Sequence, residues 1–527
     1  MTDDAADVCV VGAGPAGGIL AAELAGSYDV VVLEAGPRFE DADRERRMER
    51  SIRPAYSIPD VWEMGGERDA YTTAGDGYPL NRARVKGVGG TTLHWQGMVM
   101  RLHETDFEMA SRYGVGSDWP IDYAALRPYY TRAEAELGVA GASDNPFGPP
   151  REEPHPLPAF PPSYSDSIFA EACEALGIAT HSVPNARNSE PYDGDGACVG
   201  YGTCQPVCPS GAKYTAERHV DRAEAAGARV VAEAPVQRLE HDASGERVTA
   251  AVYAKDGEER RQEARSFVVA CGGVETPRLL LCSRSDRHPD GLANGSGAVG
   301  RYFMDHLYAG VGGRYDGPTR QKHVGFNTTE SHQFYDDVDA ESGSLKLEFI
   351  NYAGPSPVEQ ALRADDWGDA LLEDLRDAYG TYLEVGALVE QMPRKENRVT
   401  LDPDRTDDHG RPVPRIEWRV DDYTDRTLAR ANEIQRSILA ELDVDVEWAD
   451  GPGSVRPAFH HMGTTRMGVD PAESVVSPRL RTHELENCWI ASSSVFVTGG
   501  AMNPTLTIAA LSLKAAEHVD EALSQTL

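Results

Sequence analysis

Three groups of residues have types and spacings that could do chemistry. Gly12, Gly14 and Gly17 form the run G-A-G-P-A-G, and Glu34 follows 22 positions after Gly12. Glycines at these intervals permit a tight turn and close approach of a pyrophosphate to a helix N-terminus. A carboxylate ending the next strand can accept hydrogen bonds from ribose hydroxyls. The fingerprint points to a dinucleotide without separating FAD from NAD. Cys198, Cys204 and Cys208 fall within eleven positions, in CVGYGTCQPVCPSG. Thiolates are favoured ligands of iron and zinc, and a proline directly after the last cysteine, here Pro209, is common beside iron–sulfur clusters. The spacing is neither that of a zinc ribbon nor that of a ferredoxin, so metal binding, a disulfide and a buried-thiol loop all stay open. His460 and His461 are neighbours, and a neutral imidazole suits proton removal near pH 7. From the residues alone either could face a reactant while the other packs.

These groups need elements to hold them. DVCVV at 7–11 and DVVVL at 29–33 are short β-branched runs around the glycine turn and the Ala-rich GGILAAELAG, which reads as a helix. Residues 37–90 read mostly as loop with short helices, such as one near DRERRMERSI, and long irregular segments often cover a ligand. The Pro-rich 145–163 stretch reads as a surface excursion before the helix SIFAEACEALG. RVVAEAPVQRLEHD, RVTAAVYAKD and ARSFVVACGG read as strands returning to the first sheet, followed by the helix VETPRLLLCS. From about 306 to 450, SLKLEFINYAG, GTYLEVGALVEQ, NRVTLDP and PRIEWRV alternate as strands, with a helix near DRTLARANEIQRSILAEL. The simplest architecture there is an antiparallel sheet covered by helices. The C-terminal region reads as a buried strand, a glycine turn and a long apolar helix. The fold class expected is α/β, α+β overall. Residues 1–305 and 451–527 form a Rossmann-like nucleotide domain with the Cys-rich loop near 197–214, and 306–450 form an inserted substrate domain.

At 527 residues the chain exceeds one ordinary core. Lys plus Arg total 51 against 85 Asp plus Glu, a formal charge of −34, which repels nucleic acid and anionic membrane surfaces. The acidic residues are scattered through folded segments, a pattern that fits a surface adapted to high salt, so a halophilic source is expected. No stretch of about 18 apolar residues occurs to span a bilayer, and the N-terminus lacks the layout of a signal peptide, so cytoplasmic residence is the default expectation. Eight scattered cysteines argue against a disulfide framework, and Cys9, Cys173, Cys271, Cys282 and Cys488 read as packing residues.

Four further segments complete a set with the N-terminal fingerprint: KGVGGTTLHWQGM at 86–98, VVACGGVETPRLLLCS at 268–283, HHMGTTRMG at 460–468 and SSSVFVTGGAMNPTLTIAAL at 492–511. Together they resemble the glucose-methanol-choline (GMC) oxidoreductases nearly end to end. PRKENRVTLDPDRTDDHGRPVPRIEW resembles that family's substrate domain. The resemblance implies FAD, a sugar or alcohol substrate oxidised to a carbonyl, and hydride transfer to flavin. His460, three residues before Gly463-Thr464, stands at the position of the family's base. Asn503 stands at that of its orienting partner, with Pro504 and Thr505 of MNPTL beside the cofactor. Gly89 and Gly90 allow close backbone approach to the cofactor. His94 matches the histidine that in pyranose 2-oxidase, a GMC relative, bonds covalently to the flavin; a noncovalent contact is the alternative.

The cysteine run and its flanks resemble the flavin subunit of bacterial glucose and gluconate dehydrogenases, in which three cysteines hold a 3Fe-4S cluster. That implies an electron path to a small companion subunit and a cytochrome, and a signal-bearing companion could carry the chain outward. The expected function is an FAD-dependent sugar or polyol dehydrogenase. An oxygen-using GMC oxidase, a redox-neutral lyase or isomerase, and a noncatalytic electron-transfer subunit are the alternatives.

Overall fold

The structure is a computed structural model that describes residues 5–51, 53, 57–321, 327–454 and 456–525. The strand Ala6–Val11, the helix Pro15–Leu24 and the strand Val30–Leu33 form the expected opening unit. Both strands are almost wholly buried. Continuous apolar strands suit a parallel sheet covered on both faces, and five parallel segments lie side by side in the order Arg229–Val231, Val30–Leu33, Ala6–Val11, the end of Glu258–Val269, and Cys488–Ile490. The first half of Glu258–Val269 leaves this sheet and pairs antiparallel with Val248–Lys255, which pairs with Val236–His241. The helix Pro15–Leu24 is packed between the helices Glu217–Ala225 and Thr505–Ser524.

A second sheet has six strands in the order Asp445–Ala449, Leu307–Arg314, Tyr382–Val389, Leu345–Ile350, Thr329–Ser331 and His181–Ser182. Its neighbouring strands run antiparallel. Strand alternation makes it two-faced. Leu307, Ala309, Leu345, Leu347, Val385 and Ala387 point into one apolar core, which the helix Asp422–Glu441 closes with Leu428, Ala431, Ile438 and Leu439. Asp421 caps that helix through the Thr424 amide at 2.9 Å. Gln435 donates to the Ala309 and Val385 carbonyls at 2.8 and 2.9 Å, fixing the helix over the sheet centre. Tyr308, Lys346, Glu348 and Leu388, at the alternate positions, belong to the other face.

The segment 37–90 contributes helices at Arg44–Ser51 and Ile58–Val61, but also a strand, Thr72–Gly75, that the sequence reading had as loop. Its partner is Pro412–Trp418, over three hundred residues away, and four residues of the type TTAG carry no local signal for such pairing. The helix expected at 167–177 begins earlier, at Tyr164, because Ser163 and Asp166 form a capping box. All eight cysteines are free thiols; Cys9, Cys173 and Cys488 are buried, whereas Cys271 and Cys282 are only partly so. Among the described residues no helix is long and apolar enough to cross a membrane.

Candidate active site

The carboxyl ends of the parallel strands open into a cavity of about 820 Å³, lined at that end by Val11, Leu33 and Ala270. Ligands in open α/β sheets sit outside these strand ends, and the volume lies toward the top of the roughly 300–1,000 Å³ range of small-molecule sites. Gly12 and Gly14 line it with Pro15 and Ala16, so the N-terminus of the first helix meets the cavity. A Cβ on Gly17 would stand 1.9 Å from the Gly12 carbonyl oxygen, so this glycine lets the helix close onto the turn. Glu34 lines the cavity, buried, its Oε2 accepting the Ala13 amide and its Oε1 the Gly36 amide, both at 2.9 Å. The carboxylate thus ties together the two loops that frame the nucleotide end, and its remaining lone pairs can still accept ribose hydroxyls.

Gly90 and His94 lie on the same wall, while Gly89 packs behind it against Leu93 and Glu217. His94 Nε2 is 2.8 Å from the Ala83 carbonyl, which can only accept, so Nε2 carries the hydrogen. Nδ1 keeps its lone pair and has no hydrogen-bond partner among the described residues. Burial first, then the Lys213 ammonium, lower the His94 pKa to about 4, so the ring is neutral.

His460, His461 and Asn503 come together on the cavity wall. What holds His460 is the dipeptide Asp305-His306, which the sequence reading passed over. Asp305 Oδ1 accepts the His460 amide at 2.7 Å and Oδ2 the Phe459 amide at 2.9 Å, with the Tyr78 hydroxyl also donating to Oδ2. His306 is fully buried, with Nδ1 2.8 Å from His460 Nδ1 and Nε2 3.2 Å from the Gly499 carbonyl. That carbonyl requires a hydrogen on His306 Nε2. Burial lowers the His306 pKa to about 4, so the ring is neutral and its Nδ1 is the acceptor. His460 therefore donates from Nδ1, and its Nε2 is left as a lone pair at the cavity. Burial, then His306, Lys346 and His461, hold the His460 pKa well below its ordinary value.

His461 differs in its surroundings. Its ring stacks on Phe303 with centroids 6.0 Å apart and meets Tyr78 edge-on at 5.6 Å, and its Nε2 has no partner. Asn503 Oδ1 is likewise buried and unpartnered. Pro504 and Thr505 line the cavity at the start of the 20-residue helix Thr505–Ser524, whose positive dipole end favours negative charge there. Fingerprint glycines, His94, His460, His461 and Asn503 lining one cavity of this size fit a flavin dinucleotide and a hydroxylated reactant.

The cysteine loop adjoins this cavity. Gln205, next to Cys204, lines it and accepts from Gln96 at 2.9 Å. Lys213 Nζ donates to the carbonyls of Leu93, Trp95 and Cys204 at 3.2, 2.7 and 2.8 Å, stitching the loop to the His94 segment. Cys204 is buried beside the Arg187 guanidinium, 3.8 Å from its sulfur. Burial pushes the Cys204 thiol up, opposed by Arg187 and Lys213. At Cys208 burial is outweighed by the Lys213 amide and ammonium and by Ser210, and the thiol falls below its ordinary pKa. Three thiols, two of them beside the Arg187 and Lys213 cations, are a donor set suited to an anionic thiolate-held group. The sulfurs do not form a group within 4.8 Å of one another, and a cluster attaches its cysteines to different irons.

Both GMC oxidoreductase family models match, the N-terminal one over residues 70–308 and the C-terminal one over residues 393–512. The chain belongs to the GMC oxidoreductase family, FAD-dependent enzymes acting on CH–OH groups. It is 34% identical to the fructose dehydrogenase large subunit of Gluconobacter japonicus, over 99% of this chain and 98% of that protein. It is 26% identical to the gluconate 2-dehydrogenase flavoprotein of Pantoea cypripedii, over 98% of this chain and 93% of that one. An Aspergillus oryzae formate oxidase variant, described for its FAD modification, superimposes with a TM-score of 0.69 at 16% identity, covering 100% of both chains.

Proposed function

We propose that this protein is an FAD-dependent dehydrogenase that oxidises a hydroxyl of a sugar or polyol to a carbonyl. The observation that carries the reading is that His460, whose Nε2 is left as a lone pair, and Asn503 both line the cavity into which the fingerprint turn opens. Bound FAD supplies the two-electron acceptor for hydride leaving the carbinol carbon. His460 removes the hydroxyl proton at Nε2, and His306 fixes the tautomer that makes this possible. Asn503 orients the substrate oxygen. Gly12, Gly14 and Glu34 would hold the dinucleotide, with Gly90 and His94 also lining the cavity. His94 Nδ1 is the nitrogen that a covalent attachment would use. Cys198, Cys204 and Cys208 would hold a 3Fe-4S cluster, which supplies one-electron chemistry. The fructose relative's designation as a large subunit supports a companion chain.

The deciding experiment is an anaerobic optical and paramagnetic-resonance titration of purified protein against a panel of sugars and alcohols. Bleaching of the flavin by a sugar or polyol is expected. Colourless protein that retains no FAD after reconstitution overturns the reading, and fast peroxide formation without an added acceptor favours an oxidase.

The low His460 pKa has a kinetic signature. An ordinary imidazole loses half its basic form near pH 6.5, whereas one with a depressed pKa stays basic below that pH. The rate of flavin reduction at saturating substrate is therefore expected to be flat from about pH 8 to well below pH 6.5. Stopped-flow reduction across that range checks it; a fall centred near pH 6.5 shows an unperturbed base.

A further inference from the structure

The six-stranded sheet walls the cavity that His460 lines, contributing Tyr308, Glu348 and Leu388. Register places His181, Glu330, Glu348, Gly386 and Gly310 in one row across five strands. Buried Lys346 donates to Glu330 Oε2 at 3.1 Å and to Glu348 Oε1 at 2.7 Å. Glu330 Oε1 lies 3.0 Å from His332 Nε2, and His332 Nδ1 is 2.9 Å from the Asn145 amide nitrogen. His181, Glu330 and His332 bring their ligand atoms within 4.8 Å of one another. Both His332 nitrogens are nevertheless spent on hydrogen bonds and Glu330 holds an ammonium, so the group acts as an anchored chain ending in Lys346.

Glu348 is where that chain meets the cavity. Its Oε2 has no hydrogen-bond partner among the described residues and is not among the fully buried orphaned atoms. The neighbouring wall is kept low: Tyr308 donates to Glu384 Oε1 at 2.6 Å, and a Cβ on Gly386, which pairs with Glu348, would stand 2.6 Å from the Tyr308 hydroxyl. Glycine there lets the phenol lie across the sheet beside Glu348, and both residues line the cavity.

We propose that Glu348 determines substrate class: Oε2 accepts a second hydroxyl of the substrate, selecting neutral polyhydroxylated molecules over mono-alcohols and over polyols that carry a carboxylate. This rests on the reading of His460 and flavin as the oxidising site. A mono-alcohol would leave Glu348 Oε2 without its hydroxyl partner, the situation in which hydroxyl-binding sites discriminate most strongly. An acid would bring like charge against it.

The test compares wild type with Glu348→Gln, which keeps an acceptor for Lys346 and removes the charge. D-fructose, D-glucose and sorbitol serve as neutral polyols, cyclohexanol as the mono-alcohol and D-gluconate as the acid, with kcat and KM measured for each. In wild type the best neutral polyol should exceed cyclohexanol and gluconate by roughly tenfold or more in kcat/KM. In Glu348→Gln that polyol should lose about tenfold, chiefly through KM, while cyclohexanol shifts less than about threefold and gluconate gains relative to it. Equal losses on polyol and mono-alcohol, or no change in selectivity, overturn the assignment even where wild type oxidises sugars. A wild type whose flavin none of the panel bleaches overturns the underlying reading as well. Should Glu348→Gln not fold, Glu348→Asp, which keeps the charge on a shorter arm, is scored by the same selectivity, with a smaller polyol loss expected and no loss overturning the proposal.

Discussion

Replacing His460 with alanine is expected to slow reduction of bound FAD by about 10²- to 10⁴-fold, the usual contribution of a general base, with FAD content unchanged. The two halves of this expectation come from different contacts. The residue's place in the fold is set by its backbone, through the amide that donates to Asp305 Oδ1 at 2.7 Å, and alanine keeps that bond. The chemistry is set by the ring, through the Nδ1 contact with His306 that leaves Nε2 basic, and alanine removes it. Anaerobic stopped-flow measurement of flavin bleaching gives the rate, and imidazole added to the buffer should restore part of it by entering the space vacated. A variant that keeps most of its rate moves the base to His461, which also lines the cavity.

The parts of this site legible in the sequence were those whose signal is local. A glycine turn between two β-branched runs is a turn in any context, and the acidic residue ending the next strand is read by counting. The alternation through SLKLEFI likewise announced a two-faced strand, since Leu345, Leu347 and Phe349 enter the core while Lys346 and Glu348 lie on the opposite face. Asp305 and His306 were missed because nothing near them in sequence needs them; their partners lie more than 150 positions away, at Phe459, His460 and Gly499. A buried acid–imidazole pair directly after the apolar YFM was the available signal, since such a pair in a core demands partners. Lys213 was missed for a similar reason. It closely follows the cysteine run, yet its ammonium serves three carbonyls, two of them in the His94 segment far away in sequence. Glu348 carried no signal beyond strand alternation, and its relation to the cavity exists only once Lys346 and Glu330 are paired in three dimensions.

Changing Cys204 to alanine is expected to take the protein from about three irons per chain to nearly none, with the paramagnetic signal of the cluster lost alongside. Of the three cysteines this one is the most deeply set: its thiol sits against Arg187, and its carbonyl is held by Lys213. A bare thiolate would be costly there, but an anionic thiolate-held group would be offset by the Arg187 guanidinium near the sulfur and the Lys213 ammonium at the Cys204 carbonyl. Cys208, already shifted toward the thiolate, and Cys198, whose sulfur accepts the Gly200 amide at 3.4 Å, would supply the remaining positions. Two ligands cannot retain a cluster built for three. The residues proposed to hold FAD are others, so FAD content and bleaching by substrate should survive in the same preparation, which separates loss of the cluster from loss of the fold. Metal analysis and paramagnetic resonance on anaerobically purified protein decide it. Zinc in place of iron in the wild type, or iron retained in Cys204→Ala, ends the cluster assignment and leaves the loop as a positively flanked thiol site of another kind.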